Sequence, residues 1–476
     1  MSSIDLELCY LSASEVLKRF KACSLSPVEY LAELIRRAEE TEPAINAFAF
    51  TWFDQAMDQA KEAEAKYARK DTNIRELEGL PIAVKDAADI EGQPLTKGSL
   101  YLKDNISTET HYSIQRLLDA GGIVHARTTT PEFGCSGVCD SKIYGTTHTP
   151  WKLGYTSGGS SGGSGAALAV GSSPVATGSD IGGSIRIPAA CCGVVGYKPP
   201  YGRNPGGTAG SFAMYHALGP MTRTVSDAAM MQNILCGPHP LDNASIRPKY
   251  VLPDTYEDIQ GLRIAWSMDL GFFEVDEHVQ ANTLKTLDVL KDLGAELVEV
   301  DFGWSAEADR ALQNYLDHLF NGNIKAIVDT DPDLATPWAT YCANAAGKTS
   351  AMDFSAAYET QAKMSRHVGA IMDDCYAFIC PTNSFHEIPA DQHPDEPLVI
   401  NGKTVDPLYG WCMAHPFNML GRLPVLSVPS GIGGNGLPTG IQIVARHLDD
   451  ERVFRVAMAL EKAQPWLDCP ERRPSI

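Results

Sequence analysis

Hydrophobic and polar positions recur at two different periods along this chain, and the switches between them mark out its elements. In residues 1–75 the apolar positions are spaced for helices: Val16, Leu17 and Phe20, then Tyr30, Leu31, Leu34 and Ile35. Each run is preceded by a cap. Ser12-Ala13-Ser14-Glu15 and Ser26-Pro27-Val28-Glu29 both read as capping boxes, the second with proline at the first helical position. A third helix, rich in Ala, Glu and Lys, is expected over 54–69.

The texture then changes. Gly79-Leu80-Pro81-Ile82-Ala83-Val84-Lys85-Asp86 is a short apolar run led in by Gly and Pro, which predicts a buried strand ending in charge. A helix over 114–120, stopped by Gly121-Gly122, and a strand over 123–126 follow. Strand, helix, strand at this spacing predicts a parallel pair, because parallel neighbours need a long crossover. Later strands are expected at 261–266, 296–300, 424–428 and 439–444, with helices at 279–293 and 451–462. The stretch 303–422 reads as less regular and dense in aromatics, including Trp304, Tyr315, Phe320, Trp338, Tyr341, Phe354 and Tyr358. The fold class this predicts is α/β: a single large domain with a central mixed, twisted β-sheet flanked by helices. Residues 1–75 are expected to form an N-terminal helical segment of that domain, residues 76–476 its α/β body, and 303–422 a more variable insertion within it.

Composition narrows the function. The 476 residues carry 39 Lys and Arg against 59 Asp and Glu, a formal net charge of −20. Such a surface repels phosphate backbones and anionic membranes, so no nucleic acid and no membrane is expected as a partner. Asp5, Glu7, Glu15, Lys18 and Arg19 break any apolar signal core in the first residues, and a cytoplasmic chain is expected. The 12 cysteines are diluted, with Cys191 and Cys192 adjacent and Cys135 and Cys139 at a spacing that suits no zinc knuckle, so reduced thiols are expected. His386-Glu387 opens like a zinc-protease motif, but the next histidine is His393, off the helix face such a motif needs. No metal site is predicted.

Residues 154–184 hold ten Gly and eight Ser. Taken alone, Ser157-Gly158-Gly159-Ser160-Ser161-Gly162-Gly163-Ser164-Gly165 reads as a flexible linker. Its neighbours argue otherwise: Ala166-Ala167-Leu168-Ala169-Val170 continues as a short helix, and a second cluster follows at Asp180-Ile181-Gly182-Gly183. A phosphate cradle would need Gly-x-x-x-x-Gly-Lys-Ser/Thr, or Gly-x-Gly-x-x-Gly after a clear strand, and neither is present in this region. A nucleophile elbow would need a strand immediately before Ser160, where the sequence is loop-like.

These residues resemble the amidase signature family. The resemblance rests on Gly158-Gly159-Ser160-Ser161-Gly162-Gly163-Ser164 followed by Gly178-Ser179-Asp180-Ile181-Gly182-Gly183-Ser184-Ile185-Arg186-Ile187-Pro188-Ala189. It extends to the strand ending in Lys85, to Arg127-Thr128-Thr129-Thr130-Pro131-Glu132-Phe133, to the block 192–203 and to the strand 436–444, covering about 12–462. Two departures stand out: Lys97 within Thr96-Lys97-Gly98-Ser99, and Thr149 before Pro150-Trp151. The resemblance gives neither a part in the chemistry.

The resemblance implies Ser184 as nucleophile, Ser160 as bridging serine after a cis peptide bond, and Lys85 as base, with no cofactor. The physics is compatible. A serine needs a neighbour to take its proton, and lysine can do so only when neutral. Moving its pKa from about 10.4 to near 7 requires desolvation, which the apolar run before Lys85 can supply. Backbone N–H groups of Ile181, Gly182, Gly183 and Ser184 are expected to converge as an oxyanion hole. Gly159, Asp180 and Arg186 are expected to support these loops, the last two as an ion pair. Gly134, Cys135 and Ser136 are expected at the substrate, with 303–422 as the opposite wall.

The implied function is a hydrolase cleaving a carboxamide bond of a small-molecule amide, with aryl amides, esters or carbamates as further substrates and a homodimer as an admissible assembly. Two rivals share the motif: a glutamine-dependent amidotransferase subunit supplying ammonia to a partner enzyme, and a catalytically inactive binding protein.

Overall fold

The computed structural model describes residues 4–207 and 212–476. Its centre is an 11-stranded sheet. In chain order the strands are β1 (Phe48–Thr51), β2 (Pro81–Lys85), β3 (Ile123–Thr128), β4 (Val175–Asp180), β5 (Val195–Lys198), β6 (Ala217–Thr222), β7 (Arg263–Trp266), β8 (Glu296–Glu299), β9 (Ala377–Pro381), β10 (Val425–Ile432) and β11 (Pro438–Val444). Their order across the sheet is β1-β3-β2-β4-β6-β5-β10-β11-β9-β7-β8. The sheet is mixed. β2 runs parallel to both β3 and β4, and β7 parallel to both β8 and β9, while the central pairs are antiparallel. The α/β architecture and the parallel β2–β3 pair agree with the sequence reading.

Alternate residues of β2 feed different layers. Ile82 and Val84 pack with Val16, Phe20, Tyr30 and Leu34 of the N-terminal helices. Ala83 packs with Ala166, Ala167 and Val170 of the helix Gly162–Val170 on the other face. Lys85, two residues beyond Ala83, is thereby directed toward the start of that helix. This places the lysine at the carboxyl end of a parallel strand, where open α/β sheets bind their ligands.

Capping follows the sequence closely. Ser26 and Glu29 form the full reciprocal box at the start of Pro27–Ile45. Ser12 also caps its helix by accepting from Glu15 N, but the Glu15 carboxylate turns to Arg19 instead of back to the cap. The region 303–422 departs in part from expectation. As far as Asp374 it is largely helical, with Glu307–Leu319, Asn321–Val328, Pro337–Ala345 and Ala351–Asp374, while residues 375–422 are irregular as expected apart from β9 in the main sheet, two short strands and the helix Pro416–Met419. Its aromatics obscured that periodicity because several are core: Trp304 and Tyr315 pack with Phe302, Phe378 and Phe417. Among the described residues, no helix is long and apolar enough to cross a membrane.

Candidate active site

Lys85 closes β2 and its backbone N–H donates to Thr177 Oγ1 of the neighbouring β4 at 3.2 Å. Its Nζ donates to Ser160 Oγ at 2.6 Å and to Ser179 Oγ at 3.0 Å. The side chain is 2 % exposed. Burial pushes its pKa from the ordinary 10.5 down to about 7, against the opposing pull of Cys139, Asp180 and Asp86. Asp86, the next residue, is engaged elsewhere. It accepts from Thr96 Oγ1 at 2.6 Å and Thr96 N at 3.2 Å, and the buried Arg127 guanidinium lies 3.8 Å away.

Ser160 stands just before the helix Gly162–Val170, and the Gly159-Ser160 peptide bond is cis, as the resemblance implies. The helix begins within the glycine run rather than at Ala166. Close approach explains why glycines are tolerated there. A Cβ on Gly163 would lie 2.4 Å from the Ala47 carbonyl oxygen, and one on Gly159 would lie 2.3 Å from that of Ser136. Both clashes are with backbone, which cannot swing aside. Ser164 further ties the helix down, donating to Thr177 O at 2.9 Å. This packed, buried segment is no linker.

The second cluster is held by a buried ion pair. Arg186 Nε donates to Asp180 Oδ2 at 3.0 Å, with both side chains fully buried. The remaining guanidinium donors reach Ala414 O at 2.7 Å, Gln442 Oε1 at 2.8 Å and Asn418 Oδ1 at 2.6 Å. Burial alone would raise the Asp180 pKa, but the charge and hydrogen bonds of Arg186 and Asn418 outweigh it and hold the carboxyl well below its usual range. Asp180 also accepts Gly183 N at 2.8 Å and Ile185 N at 3.1 Å. The expectation for Gly183 therefore needs correction: its N–H turns to Asp180 and is not free for an oxyanion. The N–H groups of Ile181, Gly182 and Ser184 donate to no other described residue.

The two glycine clusters meet where Ser161 N donates to the Ser184 carbonyl at 3.1 Å. Lys85 and Ser160 are thus in direct contact and Ser184 is one backbone link away. Among the described residues, no hydrogen bond joins the Ser160 and Ser184 hydroxyls. Ser179 and Thr177 were not predicted. Their alternation on β4 with Val175, two residues apart each time, is the signal that could have found them. Asn418 and Gln442 lie more than 200 residues from Arg186 and had no local signal.

Ser184, 9 % exposed, borders a cavity of about 310 Å³. Gly134, Cys135, Ser136, Gly159, Ile181 and Gly182 line it on the side of the glycine clusters. Leu316, Phe320, Ile324, Ile327, Leu408 and Tyr409 come from 303–422. Of the seven aromatics singled out in that stretch, only Phe320 reaches this cavity. Away from it, His386 Nε2 meets Asn435 Oδ1 at 3.2 Å and its Nδ1 lies 3.4 Å from Asp276. No described cluster of His, Cys, Asp or Glu has the form of a metal site, and all 12 cysteines are free.

Known proteins match this chain over nearly its whole length. The Amidase family matches residues 29–454. An acylamidase of Rhodococcus erythropolis is 35% identical over 98% of this chain and 98% of its own. A glutamyl-tRNA(Gln) amidotransferase subunit from Caldanaerobacter subterraneus subsp. tengcongensis is 30% identical, covering 96% of this chain and 97% of its own. The crystal structure of a bacterial aryl acylamidase of the amidase signature family superimposes with a TM-score of 0.88 at 28% identity, covering 96% of this chain and 97% of that one. With the match running through both glycine clusters and the lysine strand, the chain belongs to the amidase signature family and is an amide hydrolase.

Proposed function

We propose that the chain hydrolyses carboxamides with an apolar or aryl substituent through an acyl-enzyme on Ser184, with Lys85 as base and Ser160 as relay. The observation that carries this reading is the buried Lys85 Nζ, 2.6 Å from Ser160 Oγ, with Ser184 one backbone link away at the edge of an apolar cavity that Gly159 also lines. Ser184 Oγ attacks the carbonyl carbon, its proton passes to Ser160, and the Ser160 proton passes to neutral Lys85. The relay needs Ser184 Oγ to close on Ser160 Oγ, a tightening that substrate binding commonly produces. The N–H groups of Ile181, Gly182 and Ser184 stabilise the oxyanion. The C–N bond then breaks as the proton returns through Ser160 to the leaving nitrogen. Water deacylates Ser184 by the same relay in reverse, and no external cofactor enters either half-reaction.

The amidotransferase relative offers a second reading, glutamine as substrate and ammonia as product for a partner. Free glutamine carries an ammonium and a carboxylate, and recognising both calls for countercharges. The described cavity wall supplies one cation, Lys97, and no carboxylate. That favours an apolar substrate. Cytoplasmic residence and a homodimeric state belong to this proposal as expectations, tested by fractionation and by size-exclusion of the purified chain.

The test is a hydrolysis screen of the purified chain across aliphatic amides, anilides, esters, carbamates and glutamine. Apolar anilides or aryl-substituted amides should turn over, with esters and carbamates as slower or side substrates. Release of ammonia from glutamine as the sole activity would overturn the reading in favour of the amidotransferase.

A further inference from the structure

Lys97, one of the two departures noted in the sequence, occupies a position that its surroundings build with care. Its backbone lies at φ 50°, in the left-handed region where glycine is the usual occupant. The turn is clamped on both sides. Thr96 is bonded through N and Oγ1 to the buried Asp86, and Phe133 N donates to the Lys97 carbonyl at 2.8 Å. A Cβ on the following Gly98 would lie 2.3 Å from the Thr130 carbonyl oxygen, so this turn sits hard against the loop leading to Gly134–Ser136.

The lysine is exposed and borders the cavity of about 310 Å³ beside Ser184, together with Leu102, Phe133, Ile324 and Ile327. It is the only charged residue among those described along that wall. No ion pair among the described residues involves it. Lys97 also borders a second cavity, of about 240 Å³, on the Lys85 side, but Asp89 and Glu109 already bring negative charge there. An otherwise apolar cavity with one unpaired cation at its edge favours a ligand of matching design. An apolar scaffold is bound by area, and a single anion by the ammonium, whose flexible stem packs along apolar neighbours.

We propose that Lys97 is a specificity residue of this site, selecting amides whose apolar scaffold carries one carboxylate. The inference rests on the amide-hydrolase reading above and adds the charge of the substrate to it. The carboxylate is carried on either the acyl arm or the amine, and the two are separated by experiment.

Two matched pairs make the test. Suberanilic acid against octananilide places the carboxylate on the acyl arm, and N-octanoyl-4-aminobenzoate against N-octanoyl-4-toluidide places it on the amine. In one pair, kcat/KM for the carboxylate member should exceed that of its neutral partner by about tenfold, as expected of a charge-assisted hydrogen bond. Lys97→Met should bring that ratio to about one by raising KM of the carboxylate member, and Lys97→Arg should preserve it. A loss of packing alone would lower both members together and leave the ratio intact. Turnover of the neutral amides with no carboxylate preference, or a preference unchanged in Lys97→Met, overturns this proposal while the amidase reading stands. Failure of all four amides, together with no labelling of Ser184 by a serine-directed phosphonate, overturns both.

Discussion

Lys85 Nζ donates to Ser160 Oγ at 2.6 Å from a side chain that is 2 % exposed. Neither residue is unusual alone. In the proposed mechanism the two combine, because burial lowers the lysine pKa at the same point where its Nζ meets the hydroxyl it is to deprotonate.

The first prediction is a pH profile. Below about 7 Lys85 is protonated and cannot accept, and above it the neutral amine is the main form. Activity as kcat/KM should therefore rise about tenfold per pH unit on the acid side and level off above an apparent pKa near 7. Profiles from pH 5 to 9 on a neutral anilide measure it. A flat profile across that range would remove Lys85 as the titrating base.

The nucleophile is distinguishable from the bridging serine by labelling. A serine-directed phosphonate should modify Ser184, with mass spectrometry placing the adduct on the peptide containing Ile185 and Arg186. Ser184→Ala should lower kcat on the order of 10⁶-fold, the scale seen when a serine nucleophile is removed. An adduct on Ser160 instead would reverse the two roles.

The brace beneath Ser184 predicts a stability effect. Asp180→Ala leaves the fully buried Arg186 without its carboxylate and frees the Gly183 and Ile185 N–H groups that Asp180 now accepts. Breaking a buried pair from one side costs about 3–5 kcal/mol. Urea denaturation should show a loss of that order, with Asp180→Asn milder because an acceptor oxygen remains. A loss below about 1 kcal/mol for Asp180→Ala would show that the loop holds without the pair.

How much of this was legible in the sequence depends on the range of each contact. The burial of Lys85 was readable because its cause is local, four apolar residues preceding it and a parallel strand following after one helix, whereas its role came from the resemblance. The Asp180–Arg186 pair was readable for the same reason, six residues apart on one loop. The Gly183 N–H was misassigned because motif spacing does not reveal which way a peptide plane turns, and Asp180, three residues upstream, captures it. The helical character of 303–374 was hidden because aromatics such as Trp304 and Tyr315 fill a core shared with β9 instead of marking one helix face. Asn418 and Gln442 could not be assigned to Arg186, since only the folded sheet brings them to it.

The last prediction separates proton donation from nucleophilic attack. Lys85→Ala keeps Ser184 and the N–H groups of Ile181 and Gly182 but removes the group that stores and returns the proton. An amine is a poor leaving group until protonated, whereas a good alcohol or phenol leaves without help. The variant should lose about 10²–10⁴-fold on amides, the usual contribution of general acid–base catalysis, and distinctly less on an activated ester of the same acid. Lys85→Arg should not restore the amide rate, because a guanidinium stays protonated throughout the neutral range. Ser160→Ala should fall between Lys85→Ala and wild type if a water can stand in for the hydroxyl between Ser184 and the lysine. Steady-state kinetics on an anilide and a nitrophenyl ester sharing one acyl group compare these directly. Equal losses on both substrates would mean that Lys85 serves attack alone, and near-normal amide hydrolysis by Lys85→Arg would make the lysine structural.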